Sequence, residues 1–375
     1  MKSRFSPHPW LIAACLLLAA CTGSTTNSPG PPTAFGLWRF TPAGALDTTF
    51  PFGATAPQGF TFTNVVPGGF SFALAAAVQA DGKIVVAGSA GLAGQGTVAL
   101  VRYNPDGTLD STGFGTNGTG GVVQTPLPSP ALASAIAVQP ADQKIVVAAL
   151  TFSTTSTTGI AVIRYKTDGT PDITFGTAGV VSNATVGQGL ASDSCALVLQ
   201  PDGKIVVAGA SQAGKIVLFR YNIDGTADAT FGTDTNGGST TTSLGTGTVA
   251  MSPGLALLSD NSIIVVTGNS LDQVVLHYST AGVLDLTFGN PTTTNGIVTT
   301  DVGGGQNFAN AVAVQSGDKI VVVGHANVTP NTSDISLVRY NANGTLDTSF
   351  VGPAVNPNPP GIVVTELGAF DNAFS

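Results

Sequence analysis

Six times along the 375-residue chain a cationic or imidazole side chain is followed by Gly five residues later and by Asp eight residues later. The frame stands at Arg39, Gly44 and Asp47; at Arg102, Gly107 and Asp110; at Arg164, Gly169 and Asp172; at Arg220, Gly225 and Asp228; at His277, Gly282 and Asp285; and at Arg339, Gly344 and Asp347. A fixed frame recurring every few tens of residues restricts the chain to a repeat architecture, in which each unit needs neighbours to bury its apolar face.

Four short apolar runs accompany each full frame, rich in Val, Ile and Ala and bounded by Gly, Asp, Asn or Pro, which is the signature of strands. The first is AAAVQ at 75–79, with copies at 135–139, 196–200, 255–259 and 312–315. The second is KIVVAG at 83–88, with copies at 144–149, 204–209, 263–268 and 319–324. An Asp-Gly turn links two of these pairs, at Asp81-Gly82 and Asp202-Gly203, and Gly supplies the positive φ that a tight hairpin requires. The third run is VALVRYN at 98–104 and its copies, and the fourth is GVVQT at 121–125 and its copies, with a weaker STTTS at 239–243. Between them lies a Leu-Asp-x-x-Phe knot ending at Phe50, Phe114, Phe175, Phe231, Phe288 and Phe350. Copies of Phe50 stand 56 to 64 residues apart with no helix-period window between them, which leaves room for four antiparallel strands per unit, the composition of a propeller blade.

These residues carry a resemblance. AVQADGKIVVAG, then RYN-x-DGTLD with its Phe-Gly, then GGVV resembles the delta-60 repeat family of bacterial secreted proteins, and the hairpin frame is similar to the NHL-type propeller blade. The resemblance spans residues 35–375 and implies an all-β fold: a β-propeller of four-stranded antiparallel blades, with five complete blades and an N-terminal half blade. It implies no activity. The half blade opens at GLWRFTPAGALDTTF with no first or second run before it. A propeller completes such a blade with its last strands, so either the chain continues past Ser375, with six or more blades, or an open ring leaves a sheet edge exposed, and the first is the expectation.

The N-terminus reads as an export signal over residues 1–20: Lys2 and Arg4, an apolar run from Trp10 to Leu18, then Ala19 and Ala20 before Cys21. Leu18-Ala19-Ala20-Cys21 resembles the lipobox of bacterial lipoproteins. That resemblance implies lipidation of Cys21 and, with Thr22 rather than Asp following, the outer membrane of a bacterial cell envelope. Residues 21–34 lack apolar periodicity and read as a flexible tether. Cys195 then remains alone in the mature chain, so no internal disulfide is expected, and its SCALVLQ setting reads as a small buried residue.

Charge is sparse, at 9% of residues, and the formal net charge of −8 excludes a nucleic acid or an anionic lipid surface as a partner held by a basic footprint. No cofactor and no metal site is expected: His277 and His325 stand far apart, and no calcium loop is present. Gly209 to Lys215 carries half of a phosphate loop, but Ile216 follows where Ser or Thr is needed, and a strand follows where a helix is needed. The cation and Asp eight residues apart read as structural pairs across each hairpin, because the same pair in every unit lacks the asymmetry of a catalytic site. The sequence thus points to a non-catalytic binding or scaffold module for a protein or glycan partner. The loops at 151–159, 233–247 and 325–334 are the candidates for specificity. The competing reading is an envelope hydrolase or lyase acting on a sugar or lactone through His325, Asp334 or His277.

Overall fold

A computed structural model of the chain describes residues 11–13, 34–51, 59–92, 95–115, 120–152, 157–183, 194–211, 214–235, 237–245, 253–269, 271–289, 295–303, 305–327, 334–352 and 359–365. The expected lipidation site Cys21, most of the tether and much of the three candidate loops lie outside the described residues.

The described chain is all-β and forms six antiparallel sheets. The first contains β1 (Leu11–Ala13), β2 (Phe35–Phe40) and β3 (Phe60–Thr63). The second contains β4 (Phe70–Val78), β5 (Ile84–Gly91), β6 (Thr97–Tyr103) and β7 (Val122–Thr125), and the third β8 (Ala131–Val138), β9 (Ile145–Phe152), β10 (Thr157–Tyr165) and β11 (Val180–Asn183). The fourth holds β12 (Ala196–Leu199), β13 (Ile205–Ser211), β14 (Lys215–Tyr221) and β15 (Ser239–Ser243). The fifth holds β16 (Gly254–Leu257), β17 (Ile263–Gly268), β18 (Gln273–Tyr278) and β19 (Ile297–Thr300), and the sixth β20 (Asn307–Gln315), β21 (Lys319–Ala326), β22 (Asp334–Tyr340) and β23 (Ile362–Thr365). Each four-stranded sheet joins its strands in chain order, as expected for propeller blades.

Two details differ from the sequence reading. The first runs extend further back than expected, to Phe70 and Asn307, because a register shift at Ala73/Ala75 and at Ala309/Ala311 lets each strand bend and keep pairing. The half blade has three strands, since Leu11–Ala13, inside the stretch read as an export signal, pairs with the edge of β2 in the register Leu11 to Phe40.

The chain separates into two compact units, one of residues 1–145 with 165–171 and one of residues 146–164 with 172–375. In the first, Phe35, Leu37 and Phe50 pack against Ile84, Val86, Ala99, Val101 and Tyr103. In the second, Val206, Ala208, Leu218 and Phe231 meet Ile263, Val265, Leu276 and Tyr278, and a further cluster joins Ile264, Val266 and Val275 to Ile320, Val322 and Tyr340. Strands β5 and β17 are buried at every position, so their Val and Ile runs face neighbours on both sides and do not alternate with polar residues.

Candidate functional site

Strand and turn geometry bring the repeated cation and Asp together. Bridges such as Tyr103 to Leu109 fold the chain back after the turn, and Asp110 N donates to Arg102 O at 2.9 Å. Arg Nε then lies 2.8 Å from Asp Oδ2 in Arg39–Asp47, Arg102–Asp110, Arg164–Asp172, Arg220–Asp228 and Arg339–Asp347. Each guanidinium also sits over the Phe of its own repeat, 4.5 to 4.7 Å from the ring centroid.

The guanidinium reaches out of its repeat as well. Arg39 Nη1 donates to Pro105 O at 3.0 Å, and Arg102, Arg164 and Arg220 donate in the same way to Thr167, Ile223 and Thr280, each carbonyl belonging to the turn of the next repeat. The Phe under the guanidinium fills the space beside the Gly of that turn. A Cβ on Gly107, Gly169, Gly225, Gly282 or Gly344 would lie 2.3 to 3.0 Å from Phe50, Phe114, Phe175, Phe231 or Phe288 respectively. Glycine is required there by this approach and by φ values of +78° to +87°. Backbone N–H groups of Gly115, Gly176, Gly232 and Gly289 donate onward to Asp168, Asp224, Ala281 and Asn343, at 2.7 to 3.1 Å. Tyrosine closes the seam from the other side: Tyr103, Tyr165, Tyr278 and Tyr340 bond Thr63, Thr125, Thr242 and Thr300 of the preceding repeat. Burial pushes the Tyr103 hydroxyl up to about 12.

Lysine adds a second cation in three repeats, with Lys83, Lys204 and Lys319 lying 2.9, 2.8 and 3.1 Å from Asp110, Asp228 and Asp347. In the third repeat Lys144 instead pairs with Asp142 at 3.1 Å, across a turn one residue longer, with Gln143 at φ +58°. Burial raises the Asp228 carboxyl, but hydrogen bonds from Lys204 and Thr230 and the charge of Arg220 outweigh it and hold the group well below the usual carboxylate range. The Ser349 hydroxyl, then Lys319 and Arg339, do the same for Asp347 against its own burial.

The fifth repeat departs from this pattern at three positions together. Leu258 replaces the Gln that accepts from Arg102 and Arg220, Ser262 replaces the Lys, and His277 replaces the Arg. His277 Nδ1 lies 2.9 Å from Asp285 Oδ2 and Nε2 lies 2.8 Å from Ser262 Oγ. Ser262 Oγ in turn donates to Asp260 Oδ1 at 2.5 Å. The ring thus stands in a continuous row of polar groups that runs from Asp285 to Asp260. The His277 ring takes the place that the guanidinium has elsewhere, 5.3 Å from Phe288.

His325 and Asp334 are not brought to His277. His325 lies tilted against Phe308, ring centroids 4.7 Å apart, with Asn310 Nδ2 3.4 Å from its Nδ1, and burial pushes its pKa down. Among the described residues no cluster of His, Cys, Asp and Glu could hold a metal ion. Cys195 is buried. A cavity of about 520 Å³ opens beside the fourth and fifth repeats, lined by Gln200, Lys204, Arg220, Thr230, Asn261 and Thr280. The sequence reading missed this cavity and the role of Ser262. The signal for Ser262 is the loss of Lys in the same repeat that loses Arg.

A family described as a domain of unknown function (DUF5122) beta-propeller matches residues 22–50, 79–112, 141–175, 200–231 and 315–350, five segments that leave out His277 and Ser262. The chain is thus built of β-propeller repeats. No curated protein matches the sequence. Among solved structures, a protein from Lactobacillus plantarum is 15% identical with a TM-score of 0.48 over 86% of this chain and 77% of its own. A protein of unknown function from Dyadobacter fermentans is 13% identical with a TM-score of 0.43 over 80% and 89%. The SapL1 lectin, solved with alpha methyl fucoside, is 12% identical with a TM-score of 0.42 over 89% and 92%.

Proposed function

We propose that this β-propeller repeat protein is a non-catalytic binding or scaffold module, lipid-anchored through Cys21 to the bacterial cell envelope, for a protein or glycan partner. The observation that carries the reading is the fate of the polar groups. The cations and acids that an enzyme would gather at one site are spent instead on repeat-to-repeat seams, where Arg, Asp and Phe recur in one arrangement. What remains for recognition is the loops, surfaces that a rigid scaffold can present. Cross-linking in intact cells, with capture of the anchored protein, tests the reading. A partner should be captured by the native chain and lost when the loops at 151–159, 233–247 and 325–334 are mutated together. Capture that survives this replacement overturns the role of the loops. Intact mass before and after release of ester-linked acyl chains tests the anchor, and a mature mass without lipid on Cys21 overturns it.

A second reading, an envelope enzyme acting on a sugar or lactone, is favoured by the row Ser262, His277 and Asp285, whose spacings match those of a nucleophile, base and orienting acid. Two features oppose it. Asp260 takes the hydroxyl proton at 2.5 Å, and Ser262 is buried. Labelling by a fluorophosphonate that disappears in Ser262→Ala would establish the enzyme, and absence of labelling in the folded native chain would end it.

A further inference from the structure

The turn between the first two strands of a repeat ends on a left-handed residue. Glycine holds that position at Gly82 and Gly203, but Gln143, Asn261 and Asp318 hold it in the other repeats, with φ values of +58°, +67° and +56°. A side chain kept in this conformation calls for a use of that side chain, and two of the three show one. Gln143 Oε1 accepts from Ala80 N of the preceding repeat at 2.7 Å, and Asp318 Oδ1 accepts from Ser259 N of its preceding repeat at 2.9 Å. Each side chain latches a seam. At the receiving position the third and fourth repeats carry Pro140 and Pro201, and proline has no N–H to offer. After Pro140 the next repeat has Gly203, with no side chain to place, but after Pro201 it has Asn261.

Pro201 and Asn261 line the cavity of about 520 Å³, which lies wholly within the second compact unit. The Asn261 side chain meets no hydrogen-bond partner among the described residues. Gln200 lines the same cavity and is only 6% exposed. Its Oε1 accepts from Arg220 Nη1 at 3.2 Å, while its Nε2 meets no acceptor among the described residues. The equivalent Gln79 Nε2 has one, the carbonyl of Gln143 at 3.5 Å, and in the fifth repeat Leu258 removes the need. Lys204 Nζ stands at the cavity 2.8 Å from Asp228 Oδ2 and 3.9 Å from Asp202 Oδ2, so Lys204 and Arg220 share one buried carboxylate. A nearly buried amide without an acceptor, beside a cation, is a site short of an acceptor group.

From the missing latch and the open amide, we propose that this cavity binds a hexuronic acid, a sugar that carries a carboxylate. The carboxylate accepts from Gln200 Nε2 and Lys204 Nζ, since it is a group that only accepts and is strongest against charged donors. The ring hydroxyls, which both donate and accept, meet the Asn261 amide and the rim carboxylate of Asp202, whose side chain is 58% exposed. The cavity is far larger than a carboxylate alone needs and is of the size that holds a small ligand. Arg220 and the Gln200 oxygen stay in the seam, and only the groups the seam leaves open are used. The inference rests on the glycan form of the proposed function and names the sugar.

Calorimetric titration of the full chain tests it, with galacturonate as the probe, galactose as the same ring without the carboxylate and N-acetylaspartate as an acid without the sugar. Galacturonate should bind with a Kd of about 1 mM or tighter, and the other two about tenfold or more weakly. Asn261→Gly installs the residue that the second and fourth repeats use at this turn, so it should weaken binding about fivefold or more with a thermal melt unchanged or raised. Pro201→Ala supplies an N–H for Asn261 Oδ1, as Ser259 N serves Asp318, and should weaken binding similarly while raising the melt. No binding of galacturonate, equal binding of galactose, or binding indifferent to both substitutions would overturn the proposal. N-acetylaspartate binding as tightly as galacturonate would assign the cavity to acidic peptides and overturn the sugar. Partner capture by the native chain without galacturonate binding overturns this inference alone, whereas galacturonate bound in the cavity without partner capture overturns the role of the loops alone.

Discussion

The seam from the fourth repeat to the fifth and the seam from the fifth to the sixth solve one packing problem with different side chains, Arg220 and His277. Arg220 bonds Asp228, covers Phe231 and reaches the carbonyl of Thr280 in the next turn. His277 bonds Asp285 and lies beside Phe288, but its second nitrogen turns back to Ser262 of its own repeat. The fifth seam nevertheless keeps the ring of Phe288 against Gly344, the bond from Gly289 N to Asn343 O at 2.7 Å and the pair of Tyr340 with Thr300. It also gains two bonds from Ser259 to Asp318, at 2.9 and 2.6 Å. The comparison teaches that Phe in its Gly socket is the constant part of the seam. The cation orients the turn and is replaceable when a row of hydrogen bonds takes over its acceptors.

The largest effect should come from the constant part. Phe231→Ala empties the Gly282 socket in a buried core, and denaturant unfolding should show a loss of about 3–5 kcal/mol; Phe288→Ala should cost a similar amount, and a much smaller loss there would break the comparison. Arg220→Leu leaves Asp228 buried with Lys204 as its remaining cation, and the loss should approach about 3 kcal/mol by the same measurement. His277→Leu should cost less than Arg220→Leu, because Asp285 is more exposed than Asp228 and no forward bond is lost.

Acid sharpens the same contrast. The carboxyls of Asp110, Asp228 and Asp347 have pKa values below their unfolded range, so their contribution is complete above about pH 4 and is lost as the pH falls through the folded values. The His325 pKa is lowered by burial, so its contribution is present above about pH 6.5 and falls as acid protonates the ring. Urea midpoints between pH 7 and pH 3 should therefore decline gently at first and steeply below pH 4. The smallest effect is expected for Tyr278→Phe, which removes the bond to Thr242 and should cost about 1 kcal/mol in the same unfolding assay.

The hairpins were legible because Asp-Gly turns and Val-Ile runs act locally, and Gly82 takes φ +82° where a tight turn needs it. The pairing of Arg102 with Asp110 lies within one hairpin, so a spacing of eight could carry it. The forward reach of Arg102 ends on a backbone carbonyl, Thr167 O, and carbonyls leave no mark on residue identity. The role of Phe114 was hidden for a related reason: its partner Gly169 is needed for its turn in any case, so a second constraint adds no signal.

Hydrogen exchange on Arg220→Leu, followed peptide by peptide, tests most directly that the repeated cation belongs to a seam between repeats. The account predicts that protection falls both in residues 220–231 and in the next turn at 278–285, because the guanidinium holds both. Loss confined to residues 220–231 would contradict it and return the Arg–Asp pair to a device of the single hairpin.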